Sequence, residues 1–209
     1  MKQRWSLAAC LVTVVVTACS GGSGPTAGPM TGTAVAPGDV GDRVAFVTLG
    51  GDETLGQGLD DSLRQSWPQL LFRQALPQRT VHVNLAAPDA TVAEALDNQL
   101  PAALELQPTL AAVWLTGADV AAGTPVRDYE RNLDLIVRQL QATARVVVAT
   151  GPTVPGAPRS VDPYNAAVRR VAEGSGADLV DLSALDTRLD EPASARVAEL
   201  FGRVVTGGS

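Results

Sequence analysis

Beyond Arg43 the chain repeats one unit: an apolar run of strand length, a loop rich in Gly, Pro or Asp, then a helical periodicity. The runs fall at 44–49, 80–85, 110–115, 145–150 and 179–182. They carry Val and Leu almost continuously rather than alternating with polar residues, as expected of parallel strands covered on both faces. Ser66 precedes Trp67-Pro68 and the apolar Leu70, Leu71 and Ala75, which predicts a helix capped by serine with proline in its first turn. Thr91 caps a second helix, which Pro101 kinks or restarts. In the third, Val126, Tyr129, Leu133, Ile136, Val137 and Leu140 recur every three or four residues and form one apolar stripe. Asp162-Pro163 opens a fourth, ended by Gly174 to Gly176, and the last begins near Pro192. Unbroken alternation of strand and helix predicts an α/β fold: a three-layer, doubly wound, five-stranded parallel sheet over residues 43–205, with a short tail at 206–209. In such a sheet the ligand crevice lies at the carboxyl ends of the strands, here the loops 50–58, 86–90, 116–123 and 183–191.

The first 42 residues follow another logic. Lys2 and Arg4 precede an apolar stretch at 7–16, then small residues before Cys19, which is the order of a secretory signal. The stretch is too short for a permanent membrane span. Val16-Thr17-Ala18-Cys19 resembles a bacterial lipobox, in which cleavage after residue 18 leaves Cys19 as a first residue carrying lipid. That implies a palmitate-bearing lipoprotein, exported and anchored to the extracytoplasmic face of a membrane. Cys10 sits within the apolar stretch as filler. Residues 19–42, mostly Gly, Ser, Pro, Thr and Ala, read as a flexible tether.

Charge narrows the partners. With 16 basic and 22 acidic side chains the net charge is −6, and loss of residues 1–18 removes two more positive charges and no acid. Nucleic acid is excluded as a natural partner, and covalent lipid must supply the membrane attachment. No cysteine follows Cys19, so the exported domain has no internal disulfide.

The segment Leu49-Gly50-Gly51-Asp52-Glu53-Thr54-Leu55-Gly56-Gln57-Gly58 resembles the opening block of the SGNH (GDSL) hydrolases, whose Gly-Asp-Ser follows the first strand of a flavodoxin-like sheet. Trp67-Pro68 with Leu70-Leu71, Asn84-Leu85 with Ala90-Thr91, Trp114-Leu115 with Asp119, and Tyr164-Asn165-Ala166-Ala167 before Val180-Asp181-Leu182 continue the likeness in order. The resemblance also marks departures. Glu53 matches the nucleophilic serine, Asp89 the oxyanion-hole glycine of the second block, and Ala118 the asparagine of the third, with Thr116 where glycine is usual. The last block, Leu189-Asp190-Glu191-Pro192-Ala193, contains no histidine. The only histidine, His82, lies within the second strand run and reads as a structural, edge-strand residue.

A serine nucleophile needs a base and donors aimed at the developing oxyanion, whereas an anionic Glu53 repels that charge. The expected function is thus an envelope lipoprotein whose SGNH-like domain acts as a binding or pseudoenzyme module for a small molecule, glycan or protein. The alternative is a divergent esterase, lipase or acetyl-ester hydrolase acting on lipids or envelope sugars. Glu53, Asp89 and Asp119, with Thr116 and Ala118, are expected to converge on one crevice. Three carboxylates could hold calcium, but no calcium-loop spacing accompanies them, and the glycines after Gly50 lack the Lys-Ser/Thr of a phosphate loop. No cofactor or metal is expected.

Overall fold

The computed structural model describes residues 44–153, 159–185 and 190–207. The signal, Cys19, the tether and the tip of the last predicted loop lie outside these residues. In chain order the elements are β1 (Ala45–Gly50), α1 (Asp52–Leu55), α2 (Ser62–Gln65), α3 (Trp67–Ala75), β2 (Val81–Asn84), α4 (Val92–Glu94), a π-helical turn (Ala95–Gln99), and α5 (Leu100–Glu105). Then follow β3 (Leu110–Trp114), α6 (Gly117–Ala122), α7 (Val126–Leu140), β4 (Arg145–Ala149), α8 (Asp162–Ser175), β5 (Asp178–Val180) and α9 (Glu191–Thr206). Every predicted strand forms, within one or two residues of its expected ends. The strands pair in parallel in the order β2-β1-β3-β4-β5, with Phe46 opposite His82 on one side of β1 and Gly50 opposite Trp114 on the other. Strand order reverses about β1, so the crevice of this sheet opens where β1 and β3 end.

Two cores sandwich the sheet. Successive residues of β1 point to opposite faces. Val47 and Leu49 pack with Val113 and Val148 beneath α7 and α8, through Leu133, Ile136 and Val168. Phe46 packs with Trp114 and Val147 beneath α3 and α9, where the Trp67 ring stacks on Phe201 at 4.2 Å. The α7 stripe is buried as its spacing requires, from Tyr129 to Leu140.

Several local expectations change. Ser66 stands at the N-cap of α3, but its hydroxyl makes no capping bond; Pro68 in the first turn removes one amide that would need a partner. Thr91 does cap α4, through a reciprocal box in which Glu94 N–H donates to Oγ1 at 3.3 Å and Thr91 N–H donates to Glu94 Oε2 at 2.9 Å. The helix is not kinked at Pro101 by a break. The wider π turn absorbs the proline, which sits at the start of α5. The predicted loop at 116–123 is helix α6, because Ala118, Ala121 and Ala122 favour helix until Gly123 ends it at φ 72°. Asp52 to Leu55 likewise form a helical turn, and Gly50 belongs to β1. Gly174 lies inside α8, and Gly176 alone ends it. α9 continues through Thr206, past the expected domain end at 205. Among the described residues no helix is long and apolar enough to cross a membrane.

Candidate functional site

Two buried carboxamides hold the strand ends that frame the crevice. Gln99, presented by the π turn, accepts from Gly50 N–H and donates to Gly50 C=O, both at 2.9 Å. Asn165, in the first turn of α8, does the same to Gly151 just beyond β4, at 2.7 and 2.8 Å. Each satisfies a donor and an acceptor of backbone at a strand end, a pairing that buried backbone requires. Gly50 must be glycine, since a Cβ there would stand 2.1 Å from Thr54 Oγ1 and 2.9 Å from the Trp114 carbonyl oxygen. Sequence reasoning noted Asn165 only as part of a family-like segment and missed Gln99. An isolated amide residue on a helix carries no periodic signal.

Between these clamps lies a cavity of about 270 Å³. Glu53 and Arg159 are the charged residues among its described walls. Thr116, Thr153 and Ser160 supply hydroxyls, and Val120, Val161 and Pro152 supply apolar surface. Glu53, in the turn of α1, leans over α6, and Gly117 makes room for it: a Cβ at Gly117 would stand 2.2 Å from Glu53 Oε1. Burial pushes the Glu53 carboxyl above the usual carboxylate range; its own backbone amide offsets part of this, and the adjacent Asp52 charge adds to it. Arg159 crosses the other end of the same helix, where its Nη1 donates to the Ala121 carbonyl at 2.8 Å and its guanidinium lies over Gly123.

Of the remaining expected site residues, Thr116 shares the cavity with Glu53, while Asp89, Ala118 and Asp119 do not. Asp119 is wholly buried, and its Oδ2 accepts from Val92 N–H at 2.7 Å, closing the first turn of α4 from outside that helix. Burial raises its carboxyl pKa, against the lowering effect of that amide and of the Thr124 hydroxyl. It is therefore a structural cap. Asp89 is exposed, in the left-handed region at φ 52°, with its N–H donating to Asp52 Oδ1 at 3.0 Å. Aspartate tolerates that conformation better than most residues, although glycine is its usual occupant. Thr116 does face the cavity, with its hydroxyl 3.4 Å from the buried Tyr129 Oη, while Ala118 is half-buried on α6 and is not part of the cavity wall. Among the described residues no three His, Cys, Asp or Glu side chains cluster as a metal site would require. The expected meeting of three carboxylates is thus replaced by three separate environments.

His82 sits where edge-strand reasoning put it. It faces Phe46, four residues before the end of β1, or about 13 Å from that end. Its ring stacks on Phe46 at 4.8 Å, and Nε2 lies 3.2 Å from Thr48 Oγ1. Desolvation lowers its pKa to about 4. Ser183, just beyond β5, donates its hydroxyl proton to Asp181 at 2.6 Å, and Arg169 and Thr150 donate to the same carboxylate. Burial would raise the Asp181 pKa, but these donors outweigh it and hold the group well below the carboxylate range.

Comparison with known proteins completes the picture. No curated protein matches the chain. Several solved structures share its fold. TesA superposes with a TM-score of 0.68 at 22% identity, covering 78% of this chain and 98% of that one. A lipase/acylhydrolase from Enterococcus faecalis gives 0.67 at 16%, covering 78% and 96%. Axe2, an acetylxylan esterase from Geobacillus stearothermophilus, gives 0.66 at 15%, covering 78% and 94%. The model of the GDSL-like lipase/acylhydrolase family matches residues 48–202, a span running from β1 into α9 and including both clamps and the cavity between them. The chain belongs to the GDSL-like lipase/acylhydrolase family.

Proposed function

We propose that the domain is a non-hydrolysing binding module on the hydrolase scaffold, held at the outer face of a bacterial membrane by lipid on Cys19. The observation that carries this reading is the placement of Glu53 in the turn after β1, with its carboxyl seated against Gly117 inside the cavity. A carboxylate there opposes the negative charge that ester cleavage builds on the carbonyl oxygen. Two further features support it. The Asp89 amide, which the family likeness equates with an oxyanion donor, is engaged by Asp52. The sole histidine is a strand residue with a depressed pKa, remote from the cavity.

The second reading, a divergent acyl or acetyl esterase, draws on the family and on what the superposed proteins are named for. It would need a hydroxyl nucleophile, and Ser160 at the cavity wall is the nearest candidate. Its Oγ donates to Asp162 at 2.9 Å. The detergent-solubilised full chain should show no turnover of short-chain p-nitrophenyl esters above a heat-inactivated control, and no labelling by a fluorophosphonate probe. Labelling that maps to Ser160 or Ser183 would replace the binding reading by the enzymatic one.

A further inference from the structure

The cavity contains one anionic and one cationic side chain that do not neutralise each other. Among the described residues neither Glu53 nor Arg159 takes part in a salt bridge, although eight other pairs do form. Both charges are held apart by the same short helix. Glu53 seats on Gly117 and the Arg159 guanidinium on Gly123, six residues later, so at 1.5 Å per residue the seats are about 9 Å apart along the helix axis and about 120° apart around it. The absence of a Cβ at both glycines is what admits the two side chains. Arg159 spends one N–H on the Ala121 carbonyl, and a guanidinium has four more to offer.

A larger shallow groove of about 620 Å³ runs along α7 and α8, but three of its four arginines already have partners: Arg170 pairs with Glu130, Arg138 with Asp134 and Arg131 with Asp128. Among the described residues Glu53 and Arg159 have no charged partner, whereas most of the charge in the groove does.

On the reading of this cavity as a binding site, we propose that it takes a small zwitterion of the α-amino-acid type, with the ammonium on Glu53 and the carboxylate on Arg159. An α-amino acid held by one charge-assisted hydrogen bond of about 2.8 Å at each end, with about 3 Å between its ammonium nitrogen and carboxylate, spans about 9 Å, the same order as the axial separation of the two glycine seats. A short aliphatic side chain would rest on Val120, Pro152 and Val161. A ligand of single charge leaves one of the two protein charges unmatched, so charge complementarity selects against it.

Titration calorimetry of the detergent-solubilised full chain with norvaline, butylamine and pentanoate tests this. Norvaline should bind, and each singly charged analogue should bind about tenfold more weakly or worse, as expected for loss of one charge-assisted contact. Glu53→Gln should bring norvaline down to or below the affinity of pentanoate, removing the preference for the zwitterion, and Arg159→Gln should bring it down to or below that of butylamine. Absence of norvaline binding at millimolar concentration to a chain with a normal melting transition would overturn the proposal, as would butylamine binding as tightly as norvaline. The ester assay separates this inference from the reading beneath it. Norvaline binding together with ester turnover keeps the zwitterion site and removes the non-hydrolysing reading; no binding and no turnover does the reverse.

Discussion

Glu53 carries a desolvation penalty that its immediate surroundings do not repay. Its folded pKa lies above the ordinary value, so its contribution to stability is fully present at low pH and is lost as pH rises through the folded pKa. Glu53→Gln keeps the shape and removes the charge. The melting temperature should therefore rise by a few degrees at pH 7, with the gain vanishing below about pH 4.5, where Glu53 is neutral in both states. An unchanged melting temperature at pH 7 would mean that a donor satisfies the carboxyl. The neighbouring charge that acts on Glu53 is Asp52, not Asp89. His82 works in the opposite sense. Its folded pKa is depressed to about 4, so stability is complete above the unfolded value of 6.5 and declines as pH falls from there towards 4. His82→Phe, which keeps the ring on Phe46, should flatten that decline; the wild type should lose about 2 kcal/mol more than the variant between pH 7 and 4 in urea titrations. At this scale sequence reading placed His82 and Glu53 correctly but not Asp119, because a carboxyl that caps another element's amide shows no local spacing.

The elements that shape the site are the shortest ones. The π turn Ala95–Gln99 turns Gln99 towards Gly50, and the carboxamide then fixes the backbone two residues before Asp52. Gln99→Ala strips the partner from the buried Gly50 N–H, at about 1–3 kcal/mol, and one of two donors from its C=O, which keeps the Ala87 N–H. The variant should thus melt well below wild type, and Gln99→Glu should recover less than half of the loss, because a carboxylate accepts from the amide but is buried there without a countercharge and sets its second oxygen against the Gly50 carbonyl oxygen. Chemical denaturation of both variants checks this. Long elements such as α7 were legible because a stripe of six apolar residues leaves few alternatives. α1, α6 and the π turn were not, since a single turn contains too few residues to establish a period. Two of them are held by tertiary partners: Asp119 of α6 reaches to Val92, and Gln99 of the π turn to Gly50.

At the scale of the molecule, alternation of strand and helix was enough to anticipate a parallel five-stranded sheet with helices on both faces, because near-continuous Val and Leu runs are stable only when covered twice. What alternation could not supply was the side-chain geometry at the strand ends, which depends on contacts between residues such as 50 and 99 that lie far apart in sequence. The proposed lipid attachment also belongs to this scale. An acidic chain gains nothing from an anionic bilayer, so Cys19→Ser should move the protein from the washed membrane fraction into the soluble one, as fractionation and immunoblotting would register. Finally, the clamps at Gly50 and Gly151 are made by Gln99 and Asn165, neither of which lines the cavity. The scaffold thus behaves like a socket whose fitting can be exchanged. Residue 53 can change from one functional group to another while the backbone that aims it stays in place, so the chemistry offered at this position can be altered without the chain having to learn again how to fold.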